Sequence, residues 1–420
     1  MISKEFHETR RELYAGLLSE RSIGILFSGY EKEDRGDQKF PFTPYANFYY
    51  LTGYEQPRAV YVVIKHDGTC RETLFIERPD ETKMRWVGVF HTAEDVAAET
   101  GIAAVDYLEN LSATLTAAIR RSHLEHLYID LASWDDGIEV SLTQKFTAKF
   151  LKQHPFFQVH NTYEDMGLLR QVKTQEEIRL HEEACRVTKR GVLAILDTLR
   201  PGLCEYETEA EFDRILKAHN AQHAFPTIAA SHKNACIMHY TRNDRKMEAG
   251  DMILFDLGAQ WQYYAADVSR TYPVSGTFTE QQKQLYNVVL HGLDAALAKA
   301  RPGQAKDELQ KISKAAMAEE LIRIGFIREP DEINRYYVHG SGHFIGLYTH
   351  DVGNDSALLE EDMVFTLEPG LYFDELNLGI RIEDTLVVTK TGCRVLTDSI
   401  PKTVEDIERY MAEARSKSVH

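Results

Sequence analysis

Short apolar runs separated by helical stretches dominate the first part of the chain. Four of these runs are rich in β-branched and aromatic side chains, which fit the pleated surface of a half-buried strand. They comprise residues 23–27, 59–64, 73–76 and 127–131. His66-Asp67-Gly68 supplies a hairpin turn after the second run. This pattern predicts an α/β domain built on a mixed sheet.

Apolar residues with the spacing of an α-helix begin near residue 165. Thr174 and Glu177 have the spacing of a capping box and open a helix that extends to about residue 199. Arg200-Pro201-Gly202 ends this helix, because proline cannot continue it. A second capping box, formed by Thr208 and Glu211, predicts the start of another helix.

The order helix, Arg-Pro-Gly, helix then occurs again. Thr279 and Gln282 cap the third helix, Arg301-Pro302-Gly303 ends it, and residues 306–324 form a fourth helical stretch. Each pair of helices is followed by two strand-like runs. These runs comprise residues 252–258, 267–271, 363–370 and 379–388. The second part of the chain is therefore predicted to contain two α/β halves related by an internal duplication.

One acid stands in or beside each of these four runs. Asp256 and Asp267 follow the first pair of helices, and Glu368 and Glu383 follow the second. An uncompensated carboxylate in an apolar strand is costly, so each acid needs a partner such as a cation. Separations of 11 and 15 residues suit antiparallel hairpins that bring each acid beside its partner. A cleft between the halves could gather all four carboxylates.

Histidines and glycines lie between the two pairs of acids. His339, His343 and His350 are separated by glycines, which let other groups approach the backbone closely. A lone histidine is more often structural, but three in this setting indicate a site, and His239 is a fourth candidate. Four carboxylates and an imidazole suit Mn²⁺, Co²⁺, Fe²⁺ or Mg²⁺ better than a thiolate-type zinc site. A shared pair of acids could hold two such ions, and the site would then perform hydrolysis.

Composition and charge narrow the classes of partner. The 48 basic and 65 acidic residues give a formal charge of −17, which disfavours nucleic acid and anionic membranes. No apolar run approaches the roughly eighteen residues of a membrane span, and the first residues lack the apolar core of a signal peptide. We therefore expect a cytoplasmic protein. Its five scattered cysteines fit reduced thiols with a packing role.

The same residues resemble a known family. Asp256, Asp267, His343, Glu368 and Glu383, with the phrases HGSGHFIGLYTHDVG, TLEPGLYF and GIRIEDT, closely resemble the pita-bread metallopeptidases, in particular the aminopeptidase P group. FPFTPYANFYYLTGYEQPRAVYVVIK resembles the N-terminal domain of that group, so the resemblance covers nearly the whole chain. It implies a creatinase-like, non-catalytic α/β domain over residues 1–163 and a catalytic pita-bread domain with a pseudo-twofold duplication over residues 164–420.

The resemblance implies a role for each acid. Asp256 and Asp267 would bind one metal ion, Asp267 and Glu383 would bridge two ions, and His343 and Glu368 would complete the other shell. The expected cofactor is two divalent metal ions, Mn²⁺ in the first place, with Co²⁺, Fe²⁺ or Zn²⁺ as alternatives.

The resemblance also implies the catalytic roles. Glu368 would be the general acid/base that takes a proton from the bridging water and passes it to the leaving proline nitrogen. His350 and His239 would stabilise the tetrahedral intermediate or hold the substrate, and His339 would line the proline pocket. Arg381, two residues before the last acid and so on the same strand face, would orient the acids or meet a substrate carboxylate.

The resemblance therefore implies an aminopeptidase that removes the first residue from peptides with proline at position two. We expect it to act as a homo-oligomer (dimer or tetramer). The Xaa-Pro bond has no N–H and a rigid ring, so it requires a specialised pocket. A prolidase that cuts only Xaa-Pro dipeptides shares every ligand and remains an alternative. A metal-free creatinase-type amidinohydrolase or an inactive binding module would be expected to have lost some of the acids.

Two positions depart from the pattern of the group. Tyr348 stands where the group often has an acid, and residues 85–88 lack the basic residues expected after Trp86. In relatives Trp86 would reach a neighbouring subunit's active site, and a packing role is the alternative. Both departures bear on substrate length and subunit contacts.

Overall fold

The computed structural model describes residues 2–88, 91–131, 140–340 and 342–417. The chain forms two compact units, Met1–Leu169 and Arg170–His420. The predicted division at residues 163–164 lies a few residues earlier, at the start of the helix that contains the observed one. Among the described helices, none combines the length and apolar character needed to cross a bilayer.

The first unit is built on one six-stranded sheet. Its elements are α1 (Lys4–Leu17), β1 (Ser22–Phe27), α2 (Ala46–Thr52), β2 (Val60–His66), β3 (Thr69–Ile76), α3 (Glu81–Val87), α4 (Ala93–Thr100), β4 (Val105–Tyr107), α5 (Leu108–Ser122), β5 (His126–Ile129), α6 (Leu142–Gln153), β6 (Gln158–Asn161) and α7 (Tyr163–Gln171). The strand order is β4-β3-β2-β1-β5-β6.

This sheet is mixed, as predicted. Strand β2 is antiparallel to both β1 and β3. Strand β4 is parallel to β3, and β5 is parallel to both β1 and β6. The predicted hairpin is present, because Asp67 and Gly68 both have positive φ, the conformation that a two-residue turn between twisted strands requires. The five cysteines of the chain are all free thiols. Cys70 is exposed on β3, so the predicted packing role is wrong for this residue.

The second unit contains the repeated pattern. Its elements are α8 (Gln175–Thr198), α9 (Glu205–Ala218), β7 (Gln222–His223), β8 (Ile228–Ser231), β9 (Met252–Leu257), β10 (Ala259–Trp261), β11 (Tyr264–Ala265), β12 (Val268–Pro273), α10 (Glu280–Leu297), α11 (Lys306–Arg323), β13 (Val364–Leu367), β14 (Gly370–Phe373), β15 (Leu378–Arg381), β16 (Asp384–Val388), β17 (Cys393–Val395) and α12 (Val404–Lys417). One large apolar cluster joins helices α8 to α11 to these strands.

The acids lie where strands begin, end or change partner. Strand β9 pairs antiparallel with β12, and β13 pairs antiparallel with β16 in the second half. Each second-half run is predicted as one strand but is broken at its acid: β13 ends before Glu368 and β16 begins after Glu383. Pro369 supplies the reason for the first break, because it has no N–H to donate to a ladder.

Two of the three predicted capping boxes are present. Thr174 and Thr279 cap α8 and α10 as expected. The start predicted for α9 at Thr208 is wrong, since this helix begins at Glu205. Its cap residue is Cys204, whose N–H donates to the Glu207 carboxylate over 2.7 Å. An isolated antiparallel β-bridge between Cys204 and the distant Lys246 fixes the chain just before the helix. No local sequence pattern could have revealed this pairing.

Close packing between α8 and α9 generates a prediction about Gly191. A Cβ on Gly191 would lie 2.2 Å from Phe212 Cδ2, so Gly191→Ala should lower the free energy of unfolding by about 1–3 kcal/mol. Gly16, in α1, is the matched control, because its Cβ would meet nothing within 4 Å. Gly16→Ala should stabilise by roughly 0.5–1 kcal/mol through helix propensity alone. Urea unfolding measures both, and a fully stable Gly191→Ala protein would contradict the packing argument.

Candidate active site

One cavity in the second unit collects every residue that the sequence analysis names as a metal ligand or catalytic group. Its volume is about 280 Å³. The lining comprises Met238, His239, Asp256, Asp267, His339, Gly340, Gly342, His343, His350, Glu368, Arg381 and Glu383. The four acids and four histidines, separated by up to 144 positions in sequence, therefore face one space. Ser341, within the same motif, lies outside the described residues.

Backbone pairing between the two halves sets the positions of the acids. The Glu383 N–H donates to the Ser269 carbonyl over 2.9 Å. The Asp267 N–H donates to the Thr385 hydroxyl over 3.2 Å, and that hydroxyl donates back to the Asp267 carbonyl over 2.7 Å. These bonds join β12 of the first half to the start of β16 in the second. Asp267 and Glu383 are thereby fixed at the same junction.

Three carboxylate oxygens at this junction are buried without a hydrogen-bond partner in the part of the chain described. They are Asp256 Oδ1, Asp267 Oδ1 and Glu383 Oε1. A buried oxygen of this kind is destabilising unless something else compensates its charge. Among the described residues, Asp267, His343 and Glu383 form the single group of three whose ligand atoms all lie within 4.8 Å of one another. This donor set fits a divalent cation that prefers oxygen and imidazole ligands.

Burial and mutual repulsion act on these acids. Burial, then the nearby Asp256 and Glu368, raise the pKa of Asp267 well above its usual range. The pKa of Glu383 is also raised well above its usual range, by burial and then by Asp267. Burial raises the pKa of Glu368 although His343 opposes this shift. Without a cation, burial and mutual repulsion favour the protonated form of these groups over their simultaneous ionisation.

The histidines surround Glu368 and Asp267. His343 Nε2 lies 3.4 Å from Asp267 Oδ2 and 3.9 Å from Glu368 Oε1. His339 Nδ1 is 3.9 Å from Glu368 Oε2, and the His350 ring contacts the His343 ring edge-on at a centroid distance of 4.3 Å. Burial and then Arg381 lower the pKa of His339 to about 4, so this ring is neutral at pH 7. Burial and then His343 also lower the pKa of His350.

Arg381 joins the acids to one another. Its guanidinium donates to Asp256 Oδ2 over 2.6 Å, to Ser269 Oγ over 2.7 Å and to the Tyr372 hydroxyl over 2.8 Å. Ser269 in turn donates to Glu383 Oε2 over 3.0 Å. Arg381 therefore contacts Asp256 directly and Glu383 through Ser269.

Sequence reasoning missed Ser269 and Tyr372. The Tyr372 hydroxyl also bonds to His339 Nε2 over 2.7 Å, so it links Arg381 to the histidine expected beside the proline. Two signals were available: Ser269 is two residues after Asp267, on the same strand face, and Tyr372 stands within the phrase TLEPGLYF. A tyrosine hydroxyl in a buried strand requires a partner.

The two departures noted in the sequence lie outside this cavity. The Arg170 guanidinium lies over the Tyr348 ring, 5.1 Å from its centroid. In the first unit, Trp86 is 83% exposed, which does not fit a packing role within the chain. Trp86 borders a separate cavity of about 660 Å³, where acidic and basic side chains are mixed.

Comparison with known proteins covers both units. The model of metallopeptidase family M24 matches residues 179–390, and that of the aminopeptidase P N-terminal domain matches residues 7–128. An Xaa-Pro aminopeptidase from Escherichia coli strain K12 is 31% identical over 99% of each chain. An Xaa-Pro dipeptidase from Pyrococcus horikoshii is 34% identical, over 62% of this chain and 72% of the other. A solved structure assigned as an aminopeptidase P from Bacillus anthracis superposes with a TM-score of 0.96 at 40% identity, covering 98% of this chain and 99% of that one.

The adjacent buried acids Glu383 and Asp384 are predicted to affect stability in opposite directions when each is replaced by its amide. In protein treated with a chelator, Glu383→Gln should raise the melting temperature above that of the wild type, because it removes a buried carboxylate that lacks a compensating charge. An acid whose pKa is raised by folding contributes stability that is lost as the pH rises through the folded pKa, so the gain should grow above about pH 4.3. Differential scanning fluorimetry with EDTA at several pH values measures this difference.

Asp384 is the matched control. Its carboxylate accepts from Arg270 over 2.6 Å and from Lys402 over 2.8 Å. Burial alone would raise the pKa of Asp384, but these two cations lower it to about 2. Asp384→Asn should therefore destabilise the chelated protein by about 3–5 kcal/mol at pH 7. If Glu383→Gln also destabilises at every pH, repulsion among the cavity acids is not the dominant effect.

Proposed function

Because the chain belongs to metallopeptidase family M24, we propose that its cavity hydrolyses the bond between the first residue of a peptide and a proline at position two. The protein is an Xaa-Pro aminopeptidase, a hydrolase that uses divalent metal ions. The observation that supports this assignment most directly lies beside His343, where carboxylate oxygens are buried without a hydrogen-bond partner among the residues described. The family relationship and this donor set lead independently to metal-assisted hydrolysis.

Five residues would hold the metal. We assign Asp256, Asp267, His343, Glu368 and Glu383 to two ions, with Mn²⁺ as the first candidate because the set is rich in oxygen ligands. Two such cations would supply Lewis acidity toward the scissile carbonyl and would make an attacking water more acidic. The role of Arg381 is to keep Asp256 and, through Ser269, Glu383 in a fixed orientation.

Glu368 acts as the general acid/base. Burial raises the pKa of its carboxyl group, which makes Glu368 a better proton acceptor than an exposed glutamate. Glu368 takes a proton from the attacking water and delivers it to the proline nitrogen as the C–N bond breaks. An amide nitrogen must gain a proton to leave as a neutral amine, and this delivery supplies that proton to the proline nitrogen.

Three histidines of the cavity contact the substrate. His339 is held by the Tyr372 hydroxyl and lines the space for the proline ring. His350 and His239, which line the same cavity, hold the peptide or donate to the oxygen that becomes negative in the transition state.

The coverage of the relatives favours a substrate longer than a dipeptide. The aminopeptidase from E. coli aligns over 99% of this chain, whereas the dipeptidase from P. horikoshii aligns over 62% of it. Every acid is present, which argues against a creatinase-type enzyme and an inactive binding module. We further propose a cytoplasmic homo-oligomer, for which the exposed Trp86 is a candidate contact.

The substrate assignment predicts the cleavage pattern. Purified protein with Mn²⁺ should release the first residue from Xaa-Pro-Yaa tripeptides and should leave matched Xaa-Ala-Yaa peptides largely intact. Mass spectrometry of the products measures both reactions, and an Xaa-Pro dipeptide is the third substrate. Exclusive cleavage of the dipeptide would replace this assignment with the prolidase alternative.

The role of Glu368 predicts the effect of one isosteric substitution. Glu368→Gln should reduce kcat by about 10²–10⁴-fold, because the amide cannot transfer the proton. The exposed Glu361→Gln is the matched control and should retain wild-type kinetics. Circular dichroism should show an unchanged fold in both proteins. Full activity of Glu368→Gln would refute the assigned role.

A further inference from the structure

A carboxylate outside the active-site cavity controls the loop that brings His239 to it. We propose that Glu205, the first residue of α9, is a positioning residue that fixes the 231–245 loop and through it His239. This inference rests on the proposed function, since it assigns a purpose to the loop only if the cavity is catalytic. The loop contributes Met238 and His239 to the cavity lining.

Glu205 is fully buried, and the loop supplies its hydrogen-bond donors. Oε1 accepts from the Ser231 N–H over 2.7 Å, from the Ser231 hydroxyl over 2.6 Å and from Asn234 Nδ2 over 3.2 Å. Oε2 accepts from the Tyr240 hydroxyl over 2.8 Å and from the Arg245 N–H over 2.9 Å. One side chain therefore holds both ends of the loop and its middle.

Several donors converge on the two carboxyl oxygens of Glu205. A buried oxygen that loses its hydrogen-bond donors is destabilised. Any movement of the loop away from α9 would remove several donors at once. The loop is consequently restricted to the conformation that satisfies Glu205.

The position of Tyr240 transmits this restriction to the active site. Tyr240 follows His239 directly, so its bond to Glu205 fixes the backbone on one side of the histidine. On the other side, Ala235 is in close contact with β15, since a Cβ on Gly379 would lie 2.1 Å from the Ala235 carbonyl oxygen. Strand β15 also contains Arg381. The loop is thus held between Glu205 and the strand that orients the acids.

A double-mutant cycle tests whether Glu205 acts through His239. Glu205→Gln should lower kcat/KM for an Xaa-Pro-Yaa tripeptide about 100-fold, the cost of displacing a catalytic group by roughly 1 Å. In a His239→Ala background the same substitution should change kcat/KM by no more than about threefold, because the group being positioned is absent. Equal factors in the two backgrounds would overturn the inference.

Glu177 provides the matched control. It is a second buried glutamate at a helix start, where it accepts from the Thr174 N–H over 2.7 Å and from the Tyr264 hydroxyl over 3.0 Å. Neither partner lines the cavity. Glu177→Gln should therefore combine additively with His239→Ala even if it lowers the melting temperature. Strong coupling of Glu177→Gln to His239→Ala would indicate a general loss of structure and would overturn the proposal.

A milder variant and a second measurement keep the proposal testable if Glu205→Gln fails to fold. Tyr240→Phe removes one of the bonds and should show the same coupling to His239→Ala with a smaller factor. Hydrogen exchange of amides 231–245 should accelerate in the Glu205 or Tyr240 variant and not in Glu177→Gln. Unchanged exchange in this loop would refute the inference regardless of activity, whereas a wild-type protein inactive on Xaa-Pro peptides would refute the proposed function alone.

Discussion

The repulsion among buried carboxylates is the constraint on which the catalytic unit depends. Asp256, Asp267, Glu368 and Glu383 face one cavity, and three of their oxygens are buried without a partner among the described residues. Burial and mutual charge both favour the protonated acids, so ionisation of the set requires positive charge from outside the chain. Divalent metal ions, which membership of metallopeptidase family M24 implies, would satisfy this requirement and would also supply the chemistry of hydrolysis.

The protein compensates other buried acids with its own side chains. Asp384, next to Glu383, is paired with Arg270 and Lys402, and Asp351 is paired with Arg170 and Lys173. Glu205 has its own set of loop donors instead of a paired guanidinium or ammonium group. The cavity acids have fewer compensating side-chain contacts: Arg381 contacts Asp256 directly, and Ser269 contacts Glu383. This contrast separates acids that stabilise the fold from acids that are available for metal.

Catalysis requires these acids and the histidines to keep a fixed geometry. Duplication provides it, because each half contributes two acids. The halves are joined by hydrogen bonds from the Asp267 N–H to the Thr385 hydroxyl and from the Glu383 N–H to the Ser269 carbonyl. His339 and Arg381 are linked through Tyr372, and His239 stands on a loop bound to Glu205. The reactive groups therefore depend on contacts from buried side chains outside the metal site.

Local patterns in the sequence determined the elements and the chemistry. The mixed sheet, the caps at Thr174 and Thr279, and the acids and histidines all followed from residue type and spacing, because strand composition and capping boxes act over a few neighbouring residues. Tertiary structure decided what depends on distant residues: the start of α9, fixed by the bridge from Cys204 to Lys246, and the contacts of Ser269 and Tyr372 with Arg381. Partners more than one hundred positions apart in sequence, such as Arg381 and Asp256, leave no local signal, since only folding brings them within hydrogen-bond distance.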